Sequence, residues 1–147
     1  MTRRALFAVA VAALASCSTA AVAADGAQIF SSTCQACHQP GGVGAPGLAP
    51  PLVSPVLKNA AARQKDYPMM VVTKGLTGTL VLADGGSITG AMPPQQALTD
   101  ADVAAVVNYV FHLNRVTAAV KAADVARIRA AAATNEDLKR LRLELSK

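Results

Sequence analysis

Residues 34–38 read Cys-Gln-Ala-Cys-His, and this pentapeptide determines how the rest of the chain is interpreted. Two cysteines three positions apart near the end of a helix can each form a thioether bond with one vinyl group of a haem. A histidine directly after the second cysteine then lies under the iron, where it can serve as an axial ligand. The pattern therefore predicts one covalently attached c-type haem on Cys34, Cys37 and His38.

Three other uses of a Cys-x-x-Cys motif fit the sequence less well. A thioredoxin-type redox site needs a βαβ context, and no parallel-strand pattern surrounds the motif. A structural zinc site needs two further ligands, whereas His112 is the only other histidine and Cys17 lies in a predicted signal peptide. A disulfide between Cys34 and Cys37 is compatible with export, but it leaves His38 without a role.

The first 24 residues have the features of a secretory signal peptide. Arg3 and Arg4 form a basic n-region, residues 5–15 are an apolar run, and residues 21–24 offer small side chains at a cleavage site. The apolar run is too short for a stable membrane-spanning helix. We therefore expect an exported, periplasmic protein.

A second cleavage signal competes with the first. Residues 14–17 read Leu-Ala-Ser-Cys, which resembles a bacterial lipobox. The lipoprotein signal would then comprise residues 1–16, and Cys17 would carry a lipid anchor, the only membrane contact that we expect. The sequence leaves both processing routes open.

Helix and loop signals place the pentapeptide in a small domain over residues 25–114. Asp25 is a suitable N-cap for a helix that runs to about Cys37. Residues 40–55 contain five prolines and four glycines, a composition that predicts an irregular loop. Weaker signals predict short helices over 58–64 and 67–74, and turns with at most a short ribbon over 75–90.

The final helix of this domain has the clearest pattern. Thr99 and Asp102 have the spacing of a capping box. The apolar positions that follow recur at i, i+3, i+4 and i+7, and they are Val103, Val106, Val107 and Val110. Such a helix must bury its apolar face, and the first helix is the expected partner.

Residues 115–147 form a tail of different composition. They hold eight Lys/Arg against four acids, whereas residues 25–114 hold four against five, so most of the net charge of +5 that is not in the signal peptide lies in the tail. The tail has no continuous basic run and no interleaved aromatic residues, so we expect no nucleic-acid partner. Two helices are expected, the second beginning near Thr134. Because an Ala-rich helix buries little area, we expect the tail to be loosely held or to dock on a larger protein.

A second axial ligand has four candidates, namely Met69, Met70, Met92 and His112. Met92 is favoured because the two prolines that follow it stiffen the backbone, and its thioether could then be held against iron as a soft ligand. Met69 and Met70 lie in a short apolar stretch typical of core packing. His112 lies beyond the apolar stripe of the last domain helix. We therefore predict His38 and Met92 as the iron ligands.

Four motifs in a fixed order carry a family resemblance. They are Cys-Gln-Ala-Cys-His at 34–38, Gly-Leu-Ala-Pro-Pro-Leu at 47–52, Gly-Ala-Met-Pro-Pro at 90–94 and Leu-Thr-Asp-Ala-Asp-Val-Ala-Ala-Val-Val-Asn-Tyr-Val at 98–110. With them, residues 25–114 resemble the small class I c-type cytochromes. Within that family, the chain resembles cytochrome subunits that accept electrons from periplasmic dehydrogenases, and the haem subunits of terminal oxidases.

The resemblance implies an all-α, cytochrome c-like domain of three to five short helices, to which the tail adds a C-terminal helical extension. It implies that the backbone carbonyl of Pro50 binds the ring N–H of His38, a contact that fixes the imidazole. It also implies Met92 as the distal ligand. The resemblance gives no assignment for partners of the haem propionates, and we name Arg63 and Tyr67 as candidates.

The resemblance further implies a crossing between the first and last helices of the domain. Gly26 and Phe30 are expected to pack against Val106 and Tyr109. The domain lacks tryptophan and has few aromatic residues, and both features depart from the family pattern.

The function that these features imply is electron transfer by one haem, without enzymatic turnover. The expected partners are redox proteins, with a dehydrogenase as donor and a cytochrome or an oxidase as acceptor. The alternative is a haem enzyme or gas sensor whose distal site is open. A third hypothesis differs only in the partner, with the basic tail docking the chain on a larger assembly.

Overall fold

The structure is a computed structural model that describes residues 24–82 and 84–147. The predicted signal peptide up to Ala23, and with it Cys17, lies outside these ranges. Within them, no helix combines the length and the apolar character that a membrane crossing requires.

The pentapeptide lies at the end of an N-terminal helical segment, as predicted. Asp25 begins α1 (Gly26–Ile29) by accepting hydrogen bonds from the N–H groups of Ala27 and Gln28. A π-helical turn (Phe30–Cys34) and α2 (Gln35–His38) continue the segment. It ends at Gln39, whose positive φ of 62° turns the chain away from the helix axis.

The remaining elements are helical except for one hairpin. After a 3₁₀ turn (Pro40–Gly42), the elements are α3 (Pro55–Arg63), α4 (Asp66–Lys74), β1 (Leu76–Val81), β2 (Ser87–Met92), α5 (Asp100–Leu113), α6 (Ala122–Ala130) and α7 (Asn135–Leu145). The strands pair antiparallel, from Leu76 opposite Met92 to Val81 opposite Ser87. The prediction of a mostly α fold is confirmed, and the short ribbon is present.

The boundaries of α3 and α5 follow from their capping residues. Ser54 caps α3 and Pro55 occupies its first turn, so the helix begins three residues before the predicted start. Thr99 and Asp102 form the predicted capping box of α5, in which the Thr99 hydroxyl and the Asp102 carboxylate each satisfy a backbone N–H.

The helices α1 and α5 cross at a glycine. A Cβ atom on Gly26 would overlap the carbonyl oxygen of Ala105 and would lie 3.0 Å from the Cβ of Tyr109. One turn later the rings of Phe30 and Tyr109 pack with their centroids 5.3 Å apart. The crossing implied by the family resemblance is therefore present, and Gly26 sets how closely the helices approach.

The tail packs on the rest of the molecule, and the expectation of a loosely held segment is wrong. Helix α6 lies against α4 and α5, and α7 lies against α3, α4 and β1. The buried apolar side chains of the tail belong to the same core as those of the domain, and they are Val120, Val125, Ile128, Leu138 and Leu145. Only a few residues of α6 and α7 face inward, but together they join the apolar core of the domain.

Polar contacts fix the tail at defined points. The Asn108 side chain both donates to and accepts from the backbone of Val120, with distances of 2.9 Å. Arg127 makes two hydrogen bonds with the carboxylate of Asp66, at 2.9 and 3.0 Å. Such a paired geometry holds the orientation of α6 as well as its position.

Candidate haem-binding site

A cavity of about 360 Å³ lies between the pentapeptide, the hairpin and the helices α4, α5 and α7. Its volume is within the range usual for cofactor sites, and its lining is mostly apolar. Leu48 both lines the cavity and is 56% exposed, so the cavity opens to solvent at the loop of residues 40–55.

The two cysteines of the motif lie on one wall of the cavity. Cys34 and Cys37 are three residues apart on one helical segment, so their side chains share a face, and both are free thiols that line the cavity. Burial, and secondarily the neighbouring Cys37, raise the pKa of the Cys34 thiol. The wall can therefore present two thiols to two vinyl groups on the same edge of a porphyrin.

His38 points into the same cavity and is only 7% exposed. Its Nδ1 lies 3.0 Å from the carbonyl oxygen of Pro50, which is the contact that the family resemblance implies. Burial lowers the pKa of His38, and the hydrogen bond to Pro50 only partly offsets that effect. A neutral ring that donates from Nδ1 keeps the lone pair on Nε2, which is the form that binds a metal.

The loop that carries Pro50 is held on both sides. The N–H of Gly44 donates to the carbonyl of His38 at 2.8 Å. Near its other end, the Asn114 side chain donates to the carbonyl of Leu52 and accepts from the N–H of Ser54. Since Asn114 ends α5 and is buried, the loop is tied to the last domain helix.

Met92 lines the cavity from the hairpin, as the last residue of β2. It pairs with Leu76 at the start of β1. The preceding Gly75 has a φ of 79°, and a Cβ atom there would lie 2.7 Å from the Met92 carbonyl oxygen. Position 92 is therefore fixed by strand pairing and by a close backbone contact, in addition to the two prolines that follow it.

The other three candidate ligands lie elsewhere. Met69 and Met70 are buried in the core on α4, and neither lines the cavity. His112 is exposed on the outer side of α5. In the described ranges, moreover, no group of three or more His, Cys, Asp or Glu side chains could hold a metal ion.

The cavity is lined by two further polar side chains, Tyr67 and Arg142, and of these only Tyr67 is a candidate from the sequence. Tyr67 on α4 lines the cavity and is 2% exposed, but Arg63 does not line it and instead donates to the Glu144 carbonyl. The arginine that does line the cavity is Arg142 of α7. Its position four residues after Leu138 and three before Leu145, both buried, is the only sequence signal that it faces inward.

The side chains of the cavity fit a haem. The thiols and the imidazole lie on one wall, a thioether lines the same space, and the remaining lining is mostly apolar. The buried Nε of Arg142 has no hydrogen-bond partner among the residues that the structure describes. Such a group is costly without an acceptor, so the cavity is built for a ligand that brings one.

Comparisons with known proteins agree with the geometry. The Cytochrome c family model matches residues 23–114. Cytochrome c-552 of Thermus thermophilus is 36% identical over 88 residues, which cover 59% of this chain and 66% of that protein. A second cytochrome c-552, from a defined strain of the same species, is also 36% identical over 88 residues, and 58% of its length is covered. The matched segment thus spans less than two thirds of each relative.

The family match covers more than half of the chain and includes the pentapeptide, Pro50, Met92 and all of α5. Taken together, the motif, the cavity and the match establish that this chain belongs to the cytochrome c family, as a class I c-type cytochrome with one covalently bound haem c.

Proposed function

We propose that this chain is a monohaem electron carrier in which His38 and Met92 are the two axial ligands of the iron. One observation carries the proposal: a single apolar cavity is lined both by the attachment motif and by Met92, while Met69, Met70 and His112 lie outside it. The bound haem supplies one-electron exchange between its ferric and ferrous forms.

Each proposed ligand is prepared by its own surroundings. The Pro50 carbonyl orients the His38 ring and makes its free nitrogen a better donor. The strand pairing and Gly75 contact of Met92 hold its backbone in place before any metal arrives. Such prepared positions reduce the rearrangement that accompanies a change of charge, which favours rapid electron transfer.

The cavity also favours a carrier over an enzyme. Methionine–histidine ligation raises a reduction potential, and an apolar lining raises it further because burial penalises the more highly charged ferric form. If His38 and Met92 both bound the iron, no position would be left for a substrate. These considerations support electron transfer without turnover.

We place the protein in the periplasm, between a dehydrogenase that donates electrons and a cytochrome or an oxidase that accepts them. The secretory signal and the resemblance to dehydrogenase subunits support this placement. Apolar side chains are exposed on the loop of residues 40–55, where the cavity opens, and they include Val43, Leu48 and Val53. A small apolar surface around a cofactor edge suits the brief contacts of redox partners.

Optical spectra of the exported protein test the ligand assignment. We expect a reduced α-band of c-type and a weak far-red band from methionine sulfur bound to ferric iron. In Met92→Leu the far-red band should disappear while the haem stays covalently bound. Met69→Leu is the matched control, because it makes the same change in the core of α4, and it should keep the band.

Other outcomes would favour other functions. Loss of the band in Met69→Leu instead of Met92→Leu would mean that the wrong methionine has been assigned to the iron. Covalent haem without the band in the native protein, together with ready binding of carbon monoxide, would indicate an open distal site and a haem enzyme or gas sensor. Absence of covalent haem would contradict the attachment itself.

A further inference from the structure

We infer that Asn135, the first residue of α7, is a positioning residue for Met92. Its side-chain amide binds the outer edge of β1 and so holds the end of the hairpin that carries Met92. The inference rests on the proposed axial ligand and adds to it a contact from outside the matched family segment. Asn135 does not line the cavity, so it acts through β1 and not on the iron itself.

The Asn135 amide pairs with the backbone of a single strand residue. Its Oδ1 accepts a hydrogen bond from the N–H of Thr77 at 2.9 Å, and its Nδ2 donates to the carbonyl of Thr77 at 3.0 Å. A neighbouring antiparallel strand would exchange the same two bonds with this residue. The side chain therefore takes the place of a third strand at one position of the edge.

The direction of the strand pairing links this contact to Met92. Along an antiparallel strand, the backbone N–H and C=O groups of successive residues point alternately to the two sides. Since those of Thr77 point outward to Asn135, those of Leu76 point toward β2, where Leu76 lies opposite Met92. Asn135 thus holds the neighbour of the residue with which Met92 pairs.

A second side chain of α7 contacts the same stretch of β1. Asn135 and Lys139 are four residues apart, so they share a face of the helix. A Cβ atom on Gly78 would lie 2.9 Å from Nζ of Lys139 and 3.2 Å from its Cε, so the lysine side chain lies directly over the Gly78 backbone. Helix α7 therefore contacts two consecutive residues of β1.

The hairpin needs such contacts because it is small. In the part of the chain that the structure describes, the sheet has two strands, β1 and β2. A two-stranded hairpin is only marginally stable by itself, so its position depends on what it packs against. Leu76 and Ile88 are its buried apolar side chains, each 6% exposed, and α7 supplies the polar contact at the edge. The docked tail therefore restrains the hairpin end at which Met92 lies.

Competition for the iron measures this restraint. Imidazole added to the ferric holoprotein displaces the Met92 sulfur, so its apparent affinity rises with the fraction of molecules in which Met92 has moved away. Removing a contact that stabilises only the bound position of the hairpin increases that fraction. We expect the apparent affinity to rise about three- to tenfold, which corresponds to the net contribution of one neutral hydrogen bond.

The test uses the full-length holoprotein and two substitutions of Asn135. Asn135→Ala removes both bonds to Thr77, so it should raise the imidazole affinity by that factor and accelerate hydrogen exchange of the Thr77 amide, followed by NMR in the ferrous protein. Asn135→Asp keeps the acceptor but replaces the donor with a carboxylate oxygen that repels the Thr77 carbonyl. It should also raise the imidazole affinity, although a negative charge at this end of α7 favours the helix. Both variants keep the Thr134 cap.

Asn108→Ala is the matched control. The Asn108 amide likewise donates to and accepts from the backbone of one residue, Val120, and it also ties the tail to the domain. Its contact does not involve the hairpin. The variant should therefore leave the imidazole affinity and the exchange rate of the Thr77 amide at their native values.

Three results would overturn the inference. The first is a native imidazole affinity in Asn135→Ala or, should that variant fail to accumulate, in Asn135→Asp. The second is an equal rise in Asn108→Ala, because the effect would then come from a general loosening of the tail. The third is rapid exchange of the Thr77 amide in the native protein, which would contradict the contact itself.

The far-red methionine band of the native protein separates this inference from the axial-ligand assignment. Without that band Met92 would not be the ligand, and both the assignment and the role of Asn135 would be wrong. If the band is present and both Asn135 variants bind imidazole as the native protein does, the His38/Met92 assignment stands and the role of Asn135 alone is contradicted.

Discussion

Two regions of the chain contribute to the cavity, and they do so by different means. Residues 24–114 supply the attachment motif, Met92 and the helix crossing, each with a side chain whose chemistry suits one role. Residues 115–147 supply two helices of ordinary composition and a single inward arginine. A segment without any motif can thus complete a cofactor cavity, provided that enough of its apolar side chains join the common core.

The packing of the tail bears on the stability of the whole molecule. If the tail lay on the domain surface without sharing its core, substitutions in the tail would alter the cavity and leave the stability of the domain unchanged. Its buried side chains instead belong to the same core as α3, α4 and α5. We therefore expect tail substitutions to change the stability of the whole molecule as much as substitutions in the domain.

The largest expected effect is that of Leu138→Ala in α7. Leu138 is 1% exposed, so truncating it removes buried methyl groups and leaves a cavity where α7 meets the core. The free energy of unfolding should fall by about 2–5 kcal/mol. Denaturant unfolding of the holoprotein, followed by the far-ultraviolet circular dichroism of all helices, measures this change.

Leu143→Ala is the control for this prediction. It makes the same substitution in the same helix at a side chain that is 53% exposed. Its effect should remain within about 0.5 kcal/mol of zero. If both variants were equally stable, or if α7 melted before the other helices, the expectation that the tail and the domain share one cooperative core would be wrong.

A smaller effect is expected for Gly26→Ala at the crossing of α1 and α5. The new methyl group would overlap the Ala105 carbonyl and press on Tyr109. Overpacking of this kind costs about 1–3 kcal/mol, and the better helix propensity of alanine offsets only part of that cost. Thermal unfolding monitored at the haem Soret band measures the loss.

Gly86→Ala provides the matched control, at an exposed position of the hairpin turn that does not line the cavity. A Cβ atom there would meet only the exposed side chain of Asp84, 3.1 Å from its Oδ1, and that side chain can move aside. We expect little change in the unfolding temperature for this variant. Equal losses for the two substitutions would mean that the close helix crossing is not what makes Gly26 necessary.

The structure of residues 24–114 could be predicted from sequence to a larger extent than that of residues 115–147. The pentapeptide, the capping residues Asp25 and Thr99, and the apolar spacing of α5 act locally, so sequence alone indicates them. Pro50 was placed correctly beside His38 only through the family resemblance, because a backbone carbonyl has no sequence signature.

The tail could not be predicted in the same way. The packing of the tail on the domain depends on contacts between residues that are separated in the sequence. Examples are the contacts of Asn108 with Val120 and of Arg127 with Asp66. Arg142 was missed for the same reason. A charged residue on a helix is normally exposed, and only the tertiary structure reveals that this one lies inside a cavity.

The smallest expected effect concerns the capping box that begins α7. The hydroxyl and the N–H of Thr134, together with Arg140, lower the pKa of Asp137 from 3.8 to about 2. A carboxylate with a depressed pKa stabilises the fold fully at pH values above its unfolded pKa, and this contribution is lost as the pH falls from about 4 through about 2. Asp137→Asn should therefore be less stable than the native protein at about pH 6, and the difference should shrink between about pH 4 and pH 2.

Glu136→Gln is the appropriate comparison, because it removes one acid from the same turn without touching the Thr134 contact. Glu136 is highly exposed and bonds only to Lys139 in the described structure, so its removal should matter less at every pH. Unfolding free energies at about pH 6, 4 and 2 distinguish the two variants. If Asp137→Asn kept a constant deficit down to the lowest pH, the carboxylate charge would not be what stabilises the start of α7.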